Sequence, residues 1–269
     1  MTHSAATLRT LLDQAQARAK RSLGQNFVVD PNTVRRIAHL AEVGAGDHVV
    51  EIGAGLGSLT LALAETGADV TAIEVDDALV PVLREVVADH AVTVVHADAR
   101  ELVWADITHG RPAVVVANLP YNIATPLVLD LLDDVPDIER LLVMVQREAG
   151  ERLAAGPGSG AYGLPSVKVR YWARARIVGR VPASVFHPRP RVESVLVDIR
   201  RRPAPAQTSD CDRLFALARA GFAQRRKMLR RALRDAVTID QLTAAGIDPE
   251  ARAETLDVDD WARLADACR

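Results

Sequence analysis

The sequence predicts an α/β fold: a mostly parallel sheet covered by helices on both faces, followed by a smaller all-helical part. Three observations carry this expectation. Short apolar runs alternate with helical stretches through about residue 200, the pattern of strands buried on both faces and joined by helical crossovers. The stretch "RPAPAQTS" then breaks the alternation, and Pro203 and Pro205 make it a linker. Everything from about Asp210 onward reads as helix. At 269 residues, 49% hydrophobic and 25% charged, the chain can bury a large core. The expected domains are residues 1–202 and 203–269.

Each element has its own signature. "HVVEIG" is the first strand of the alternating series, and "SLTLALAETG" is a helix stopped by Gly67. "DVTAIEVD" is a strand, "ALVPVLREVVADH" a helix and "VTVVHADA" a third strand. "AVVVANLP" is the fourth strand, "TPLVLDLLDD" a helix and "RLLVMVQRE" the fifth strand. After the Gly/Pro-rich loop "AAGPGSGAYGLP", "RARIVGRVP" and "SVLVDIRR" read as two further strands, a paired antiparallel edge. Repeats and low-complexity tracts are absent from the sequence.

Composition narrows the function classes. No apolar run approaches the roughly 18 residues of a membrane span, and the N-terminus, with Arg9, Asp13, Arg18 and Lys20, has no secretory apolar core. A cytoplasmic address without membrane association is expected. Cys211 and Cys268 lack CxxC or Cys/His spacing, so neither a disulfide framework nor a metal site is expected. The charges are segregated. Between Glu42 and Asp106 thirteen acids face only Arg84 and Arg100, whereas between Pro165 and Arg202 ten basic residues face Glu193 and Asp198. Ala218–Arg234 adds seven basic residues and no acid. Two basic zones on an otherwise acidic chain point to a phosphate-bearing polymer.

"EIGAGLG", Glu51 to Gly57, stands where the first strand of that series turns into its helix. Glycines there let a ligand approach the backbone, and helix N-terminal amides favour an anionic group. The dinucleotide pattern G-x-G-x-x-G would need a glycine where Ser58 stands, which argues against NAD. At the end of the second strand is Glu74, placed to accept hydrogen bonds from ribose hydroxyls, and at the end of the third is Asp98, able to accept from an adenine amino group. A carboxylate-binding loop around Gly53 and Gly55, a ribose clamp and an adenine clamp together describe S-adenosylmethionine, whose sulfonium also suits the acidic half.

At the end of the fourth strand stands Asn118-Leu119-Pro120-Tyr121. Methyl transfer from a sulfonium needs alignment more than acid or base, because the leaving group is already good. An exocyclic aromatic amine is a hard nucleophile, since its lone pair is delocalised. Two acceptors on its N–H groups would draw the nitrogen toward tetrahedral geometry and stabilise the charge that grows on it. The Asn118 side-chain oxygen and the Pro120 carbonyl are the expected pair, with Tyr121 stacking on the base. The tetrapeptide by itself is weak, since Asn-x-Pro is a common turn; its place directly after a strand makes it strong.

"LGQNFVVD", "EIGAGLGSLT", "ANLPYNIATP", "VQREAGERLAAGPGSGAYG" and "FHPRPRVES", in this order, resemble the ribosomal RNA adenine N6-dimethyltransferase family, in particular its bacterial small-subunit members, over Arg21 to about Arg234. The resemblance implies a class I (Rossmann-like) methyltransferase with a seven-stranded sheet and a small helical domain. It implies cofactor contacts at Gln25, Asn26, Val28, Gly53, Gly55, Glu74, Asp98 and Asn118, and an acceptor motif at Asn118 to Tyr121. Phe186 would be the second aromatic flanking a flipped adenine. Taking a base out of its stack costs a few kcal/mol and needs stacking and backbone contacts in return. The basic zones, with Arg189, Arg191, Arg225, Arg226, Lys227 and Arg230, would grip phosphates. The implied activity is dimethylation of two adjacent adenosines near the 3′ end of 16S rRNA, on naked RNA or a 30S precursor, by a monomer. Large-subunit (23S) methylation of the macrolide-resistance type and a non-catalytic assembly factor remain the alternatives.

Overall fold

The computed structural model describes all residues except 1–2, 17–18, 21–22, 204–207, 209 and 269. The chain opens with α1 (Ala5–Gln14), β1 (Phe27–Val28) and α2 (Pro31–Ala41). Neither helix is foreshadowed by the alternation that marks the rest. Asp30 caps α2, accepting the Thr33 amide at 2.9 Å, and Pro31 takes the first turn, where its missing N–H costs nothing. Next come β2 (His48–Ile52), α3 (Ser58–Ala64), β3 (Asp69–Glu74), α4 (Val80–Val86), β4 (Val92–His96), α5 (Ala105–Thr108), β5 (Ala113–Asn118), α6 (Ala124–Asp134) and β6 (Ile138–Gln146). After α7 (Arg147–Ala154) and α8 (Leu164–Trp172) the chain forms β7 (Ala173–Val181), β8 (Phe186–His187) and β9 (Ser194–Arg201).

Seven strands make one sheet in the order β4-β3-β2-β5-β6-β9-β7. The first five are parallel, and β9 runs antiparallel to β6. The fold is α/β with a mostly parallel sheet, as expected. β2 is buried along its whole length and β6 from Leu141 to Val145, as in strands covered by helices on both faces. The two sheet edges read differently: β4 is only partly buried, and β7 carries Arg174, Arg176 and Arg180 along an exposed edge, charge that discourages pairing with another chain. β1 and β8 form a separate two-stranded antiparallel pair.

The topology locates the crevice. β2 lies between β3 and β5, so successive connections leave it in opposite directions, and the gap beyond its C-terminal end is where an open α/β sheet takes ligands.

The chain divides into two compact units, residues 1–150 with 176–200, and residues 151–175 with 201–269. The expected boundary at 202/203 therefore needs correction, because Glu151–Ala175 belongs with the helical part. The reason is apolar packing. Tyr162, Val167 and Tyr171 share a buried cluster with Leu214, Leu229 and Trp261, and the Tyr162 hydroxyl donates to the Leu256 carbonyl at 2.9 Å. That unit is completed by α9 (Cys211–Ala223), α10 (Leu229–Ala232), α11 (Ile239–Ala244) and α12 (Val258–Ala267). Most of the expected linker lies outside the described residues.

Candidate active site

The loop after β2 is shaped by backbone conformations that side chains resist. Gly53, Gly55 and Gly57 have φ of 75°, 59° and 83°. At Gly55 a Cβ would also come within 3.1 Å of the Phe27 ring, so the position needs glycine twice over. The Gly53 and Ala54 amides donate to the Ile73 carbonyl at 2.9 and 3.1 Å, folding the loop toward β3. There the Gly55 amide meets Glu74 Oε2 at 2.7 Å, while Glu74 Oε1 accepts from the Val75 and Asp76 amides at 3.0 and 2.8 Å. Three of about four acceptor positions on the carboxylate are thereby used. Burial nevertheless pushes the Glu74 carboxyl above its usual range.

A second acid lies beneath. Glu51 is fully buried, holds one hydrogen bond from Thr60 Oγ1 at 2.5 Å, and is pushed up to about 8 by burial, with Glu74 adding to the rise. Both acids line a cleft whose walls include Gly53, Gly55, Leu56, Ser58, Phe27 and Asn118. Ser58 Oγ, at the start of α3, is buried and has no hydrogen-bond partner among the described residues. A pocket with a carboxylate held by backbone amides and a hydroxyl unsatisfied among the described residues offers hydrogen bonds to a polar ligand.

The segment before α2 forms the facing wall. Gly24 has φ 64°, and a Cβ there would approach both Pro120 Cβ and Asn122 Oδ1 to 3.0 Å. Gln25 Nε2 donates to Asp76 Oδ2 at 2.8 Å, and Lys20 Nζ lies 2.6 Å from Asp76 Oδ1. Burial works against the Asp76 charge, yet Lys20 and Gln25 hold its carboxyl below the usual range. Asn26 turns its own side chain to the Gly24 carbonyl at 3.0 Å. Its backbone carbonyl accepts from Asn118 Nδ2 at 2.8 Å. That bond sets the Asn118 amide: with Nδ2 committed as donor, Oδ1 is the end left to accept.

The rest of the tetrapeptide differs from expectation in one respect. The Pro120 carbonyl accepts the Ile123 amide at 3.2 Å, closing the turn into α6. The Leu119 amide donates to Met144, and among the described residues the Leu119 carbonyl accepts no hydrogen bond. Leu119 is thus the freer backbone acceptor beside Asn118, in place of Pro120. Tyr121 is half-buried on the cleft wall, its hydroxyl 2.8 Å from Ser194 Oγ, and burial raises its pKa.

The structure gathers Gln25, Asn26, Val28, Gly53, Gly55, Glu74, Asn118, Leu119, Pro120 and Tyr121 around one cleft. It does not gather Asp98 or Phe186. Asp98 is clamped by Arg100, whose Nη2 lies 2.6 Å from Oδ2 and whose Nε reaches both oxygens, and this holds the carboxyl low. Phe186 pairs with Val28 across the β1–β8 ribbon and is buried in a cluster with Val34, Val181 and Leu196. The arginines sort similarly. Arg225 binds Glu254 at 2.7 Å and the Gly160 carbonyl at 3.0 Å, and Arg230 lies 3.1 Å from Glu250. Arg189, Arg191, Arg226 and Lys227 are exposed. Sequence reasoning missed Glu51, Phe27, Ser58 and Ser194. A charged residue inside an apolar strand was a legible signal for Glu51; Ser194, 73 positions from Tyr121, gives none.

With this geometry in hand, comparison with known proteins is informative. The family profile described as ribosomal RNA adenine dimethylase matches residues 16–269. A ribosomal RNA small subunit methyltransferase A from Thermobifida fusca is 48% identical over 97% of this chain and 94% of its own length, and one from Streptomyces coelicolor is 47% identical over 97% and 95%. Among solved structures, a dimethyladenosine transferase from Plasmodium falciparum superposes with a TM-score of 0.77 at 25% identity, covering 87% of this chain and 94% of that one. The 23S rRNA methyltransferase ErmE gives 0.71 at 27% identity, covering 90% and 99%. The glycine loop, the Asn118 acceptor and these matches over nearly the whole length lead to one conclusion: the chain belongs to the ribosomal RNA adenine dimethylase family.

Proposed function

We propose that this chain transfers methyl groups from S-adenosylmethionine to the N6 amine of adenosines in small-subunit ribosomal RNA, dimethylating two adjacent adenosines near the 3′ end of 16S rRNA during subunit biogenesis. The observation that carries this reading is the hydrogen bond from Asn118 Nδ2 to the Asn26 carbonyl, which leaves Oδ1 as the accepting end of a side chain that lines the cleft together with Glu51 and Glu74.

The residues suit the donor. The Glu74 carboxylate, held by three backbone amides, would favour the donor's positive charge and has an acceptor position left for a ribose hydroxyl, and Ser58 Oγ would gain the partner it lacks among the described residues. Gln25, Asn26 and Val28 would close the other side. When bound, S-adenosylmethionine supplies an electrophilic methyl whose departing thioether needs no proton. The chain's task is alignment. In the first transfer Asn118 Oδ1 and the Leu119 carbonyl would accept the two N6 hydrogens, and in the second one of them would accept the single hydrogen left, localising the nitrogen lone pair and stabilising the charge that grows there. Methyl transfer would exchange the donor's sulfur–carbon bond for a nitrogen–carbon bond, and water would take the surplus proton from the nitrogen. Tyr121, braced by Ser194, would stack on the base and offset part of its unstacking. Arg189, Arg191, Arg226 and Lys227 would meet backbone phosphates.

The relatives named as small-subunit enzymes are 47–48% identical to this chain, against 27% for the large-subunit enzyme, which favours the small-subunit substrate. Incubation with labelled S-adenosylmethionine and unmethylated small subunits, large subunits or duplex DNA tests this directly. Label in small-subunit RNA as dimethyladenosine is expected; label elsewhere, or none, refutes the proposal.

A further inference from the structure

The family match begins at residue 16, so α1 lies outside it, yet α1 reaches the cleft. Leu8 is among the cleft-lining residues. Leu8 and Leu12, one helical turn apart on the same face, are buried in a cluster with Phe27, Leu56, Leu79 and Val82. Phe27 and Leu56 themselves line the cleft. Ahead of the helix, Ser4 is the N-cap, its Oγ accepting the Thr7 amide at 3.2 Å, which turns the preceding residue back along the chain. That residue is His3. It is buried, and its Nε2 donates to the Leu56 carbonyl at 2.8 Å. Leu56 sits between Gly55 and Gly57, whose positive φ values give the loop its shape. Two independent contacts, one apolar and one polar, thus tie α1 to the glycine loop.

We infer that α1 is part of the donor site: Leu8 supplies a stretch of its apolar wall, and His3 acts as a positioning residue that holds the glycine loop through Leu56. The inference rests on the cleft being the S-adenosylmethionine site. A helix of ten residues is marginal by itself in water, so its docking depends on the surface it covers. Docking of α1 and binding of the donor are therefore linked, each strengthening the other.

The test uses the full chain with Leu8→Ala, Leu8→Met, Leu12→Ala and Glu74→Ala, titrated calorimetrically with S-adenosylmethionine and assayed for KM and kcat. Leu12 belongs to the same cluster and does not line the cleft, so Leu12→Ala reports the merely structural cost of truncation. Leu8→Ala is expected to weaken donor affinity about fivefold, the effect of withdrawing roughly one buried methylene of contact. Its kcat at saturating donor should stay near that of the unaltered chain, Leu8→Met should recover most of the loss, and Leu12→Ala should lower thermal stability while weakening donor affinity by less than Leu8→Ala, through the linked docking of α1 alone. Hydrogen exchange should show α1 amides gaining protection when S-adenosylmethionine is added. Equal donor affinity in Leu8→Ala and the unaltered chain, equal losses in Leu8→Ala and Leu12→Ala, or unchanged α1 exchange would each overturn the role of α1, provided Glu74→Ala still weakens binding. Failure of the unaltered chain to bind S-adenosylmethionine would instead overturn the donor reading itself.

Discussion

Asn118 is the residue on which the proposed chemistry turns: its Nδ2 donates to the Asn26 carbonyl, and among the described residues its Oδ1 accepts no hydrogen bond. Asn118→Ala is therefore expected to abolish transfer, by a factor on the order of a hundred or more for a lost charge-stabilising contact, with donor affinity nearly intact. Single-turnover assays beside calorimetry check this, and substantial residual activity would remove Asn118 from its role. Glu51 makes a prediction of opposite character. Its carboxyl is near 4.5 when exposed and about 8 when folded, so between those values the folded chain binds the extra proton and stability falls as pH rises. Glu51→Gln cannot titrate and should flatten that slope. Melting temperatures across pH 5 to 8, roughly the interval between the two values, decide the matter; parallel curves for both proteins would mean that Glu51 is already ionised. Gly55→Ala should cost about 1–2 kcal/mol for the left-handed backbone and more for the encounter with Phe27 at 3.1 Å, with weaker donor binding as the readout.

At the scale of elements, the acid Asp198 on β9 joins parts of the first unit that local sequence keeps apart. It is buried, and Arg140 of β6, Arg176 of β7 and Arg200 all hydrogen-bond it, at 2.7, 3.0 and 3.0 Å. Arg140 continues to the carbonyls of Ala41 and Leu40 at the end of α2. The network pins α2 to the sheet. Asp198 is buried and Arg140 largely so, whereas Arg176 and Arg200 are exposed, so Asp198→Asn chiefly weakens the charged hydrogen bond of Arg140 and should destabilise by roughly 2 kcal/mol, measured by urea unfolding; a change within experimental error would show that Arg140 finds other partners. The arginines hold the Asp198 carboxyl low although burial opposes them. Its contribution is therefore present above the usual carboxylate range and lost as pH falls through it. Gly150 belongs to the same scale. A Cβ there would stand 2.3 Å from Val195 Cγ2, so Gly150→Ala should overpack the site and cost about 1–3 kcal/mol.

Across the whole chain, the segregation of charge is the property most directly tied to RNA. Arg226 and Lys227 are exposed, whereas Arg225 and Arg230 are engaged with acids of their own unit. Replacing Arg226 and Lys227 together by Glu should weaken RNA binding and reduce the dependence of log affinity on log salt by about 0.7 per lost phosphate contact, with S-adenosylmethionine affinity unchanged. A retained salt slope would assign those side chains to plain solvation. Arg225→Ala should act mainly on stability, because it takes the donor from the Glu254 carboxylate and from the Gly160 carbonyl.

How much of this was legible in the sequence follows from the range of the forces involved. The α/β class, the order of five strands and the glycine loop were readable because apolar periodicity and backbone conformation are local properties. Glu74, Asn118 and Tyr121 were readable as candidates because each ends a strand or directly follows one. What only the tertiary structure decided depends on contacts between distant residues: Ser194 behind Tyr121, His3 on Leu56, Phe186 in the core, and residues 151–175 joined to the helical unit through Tyr162 and Tyr171. Even the pairing of Asp98 with Arg100, only two residues away, depended on which way the chain turned after β4. Hydrophobic pattern states which faces must be buried, but not against what, because burial is non-directional; the partners are chosen when the sheet order brings remote strand ends together.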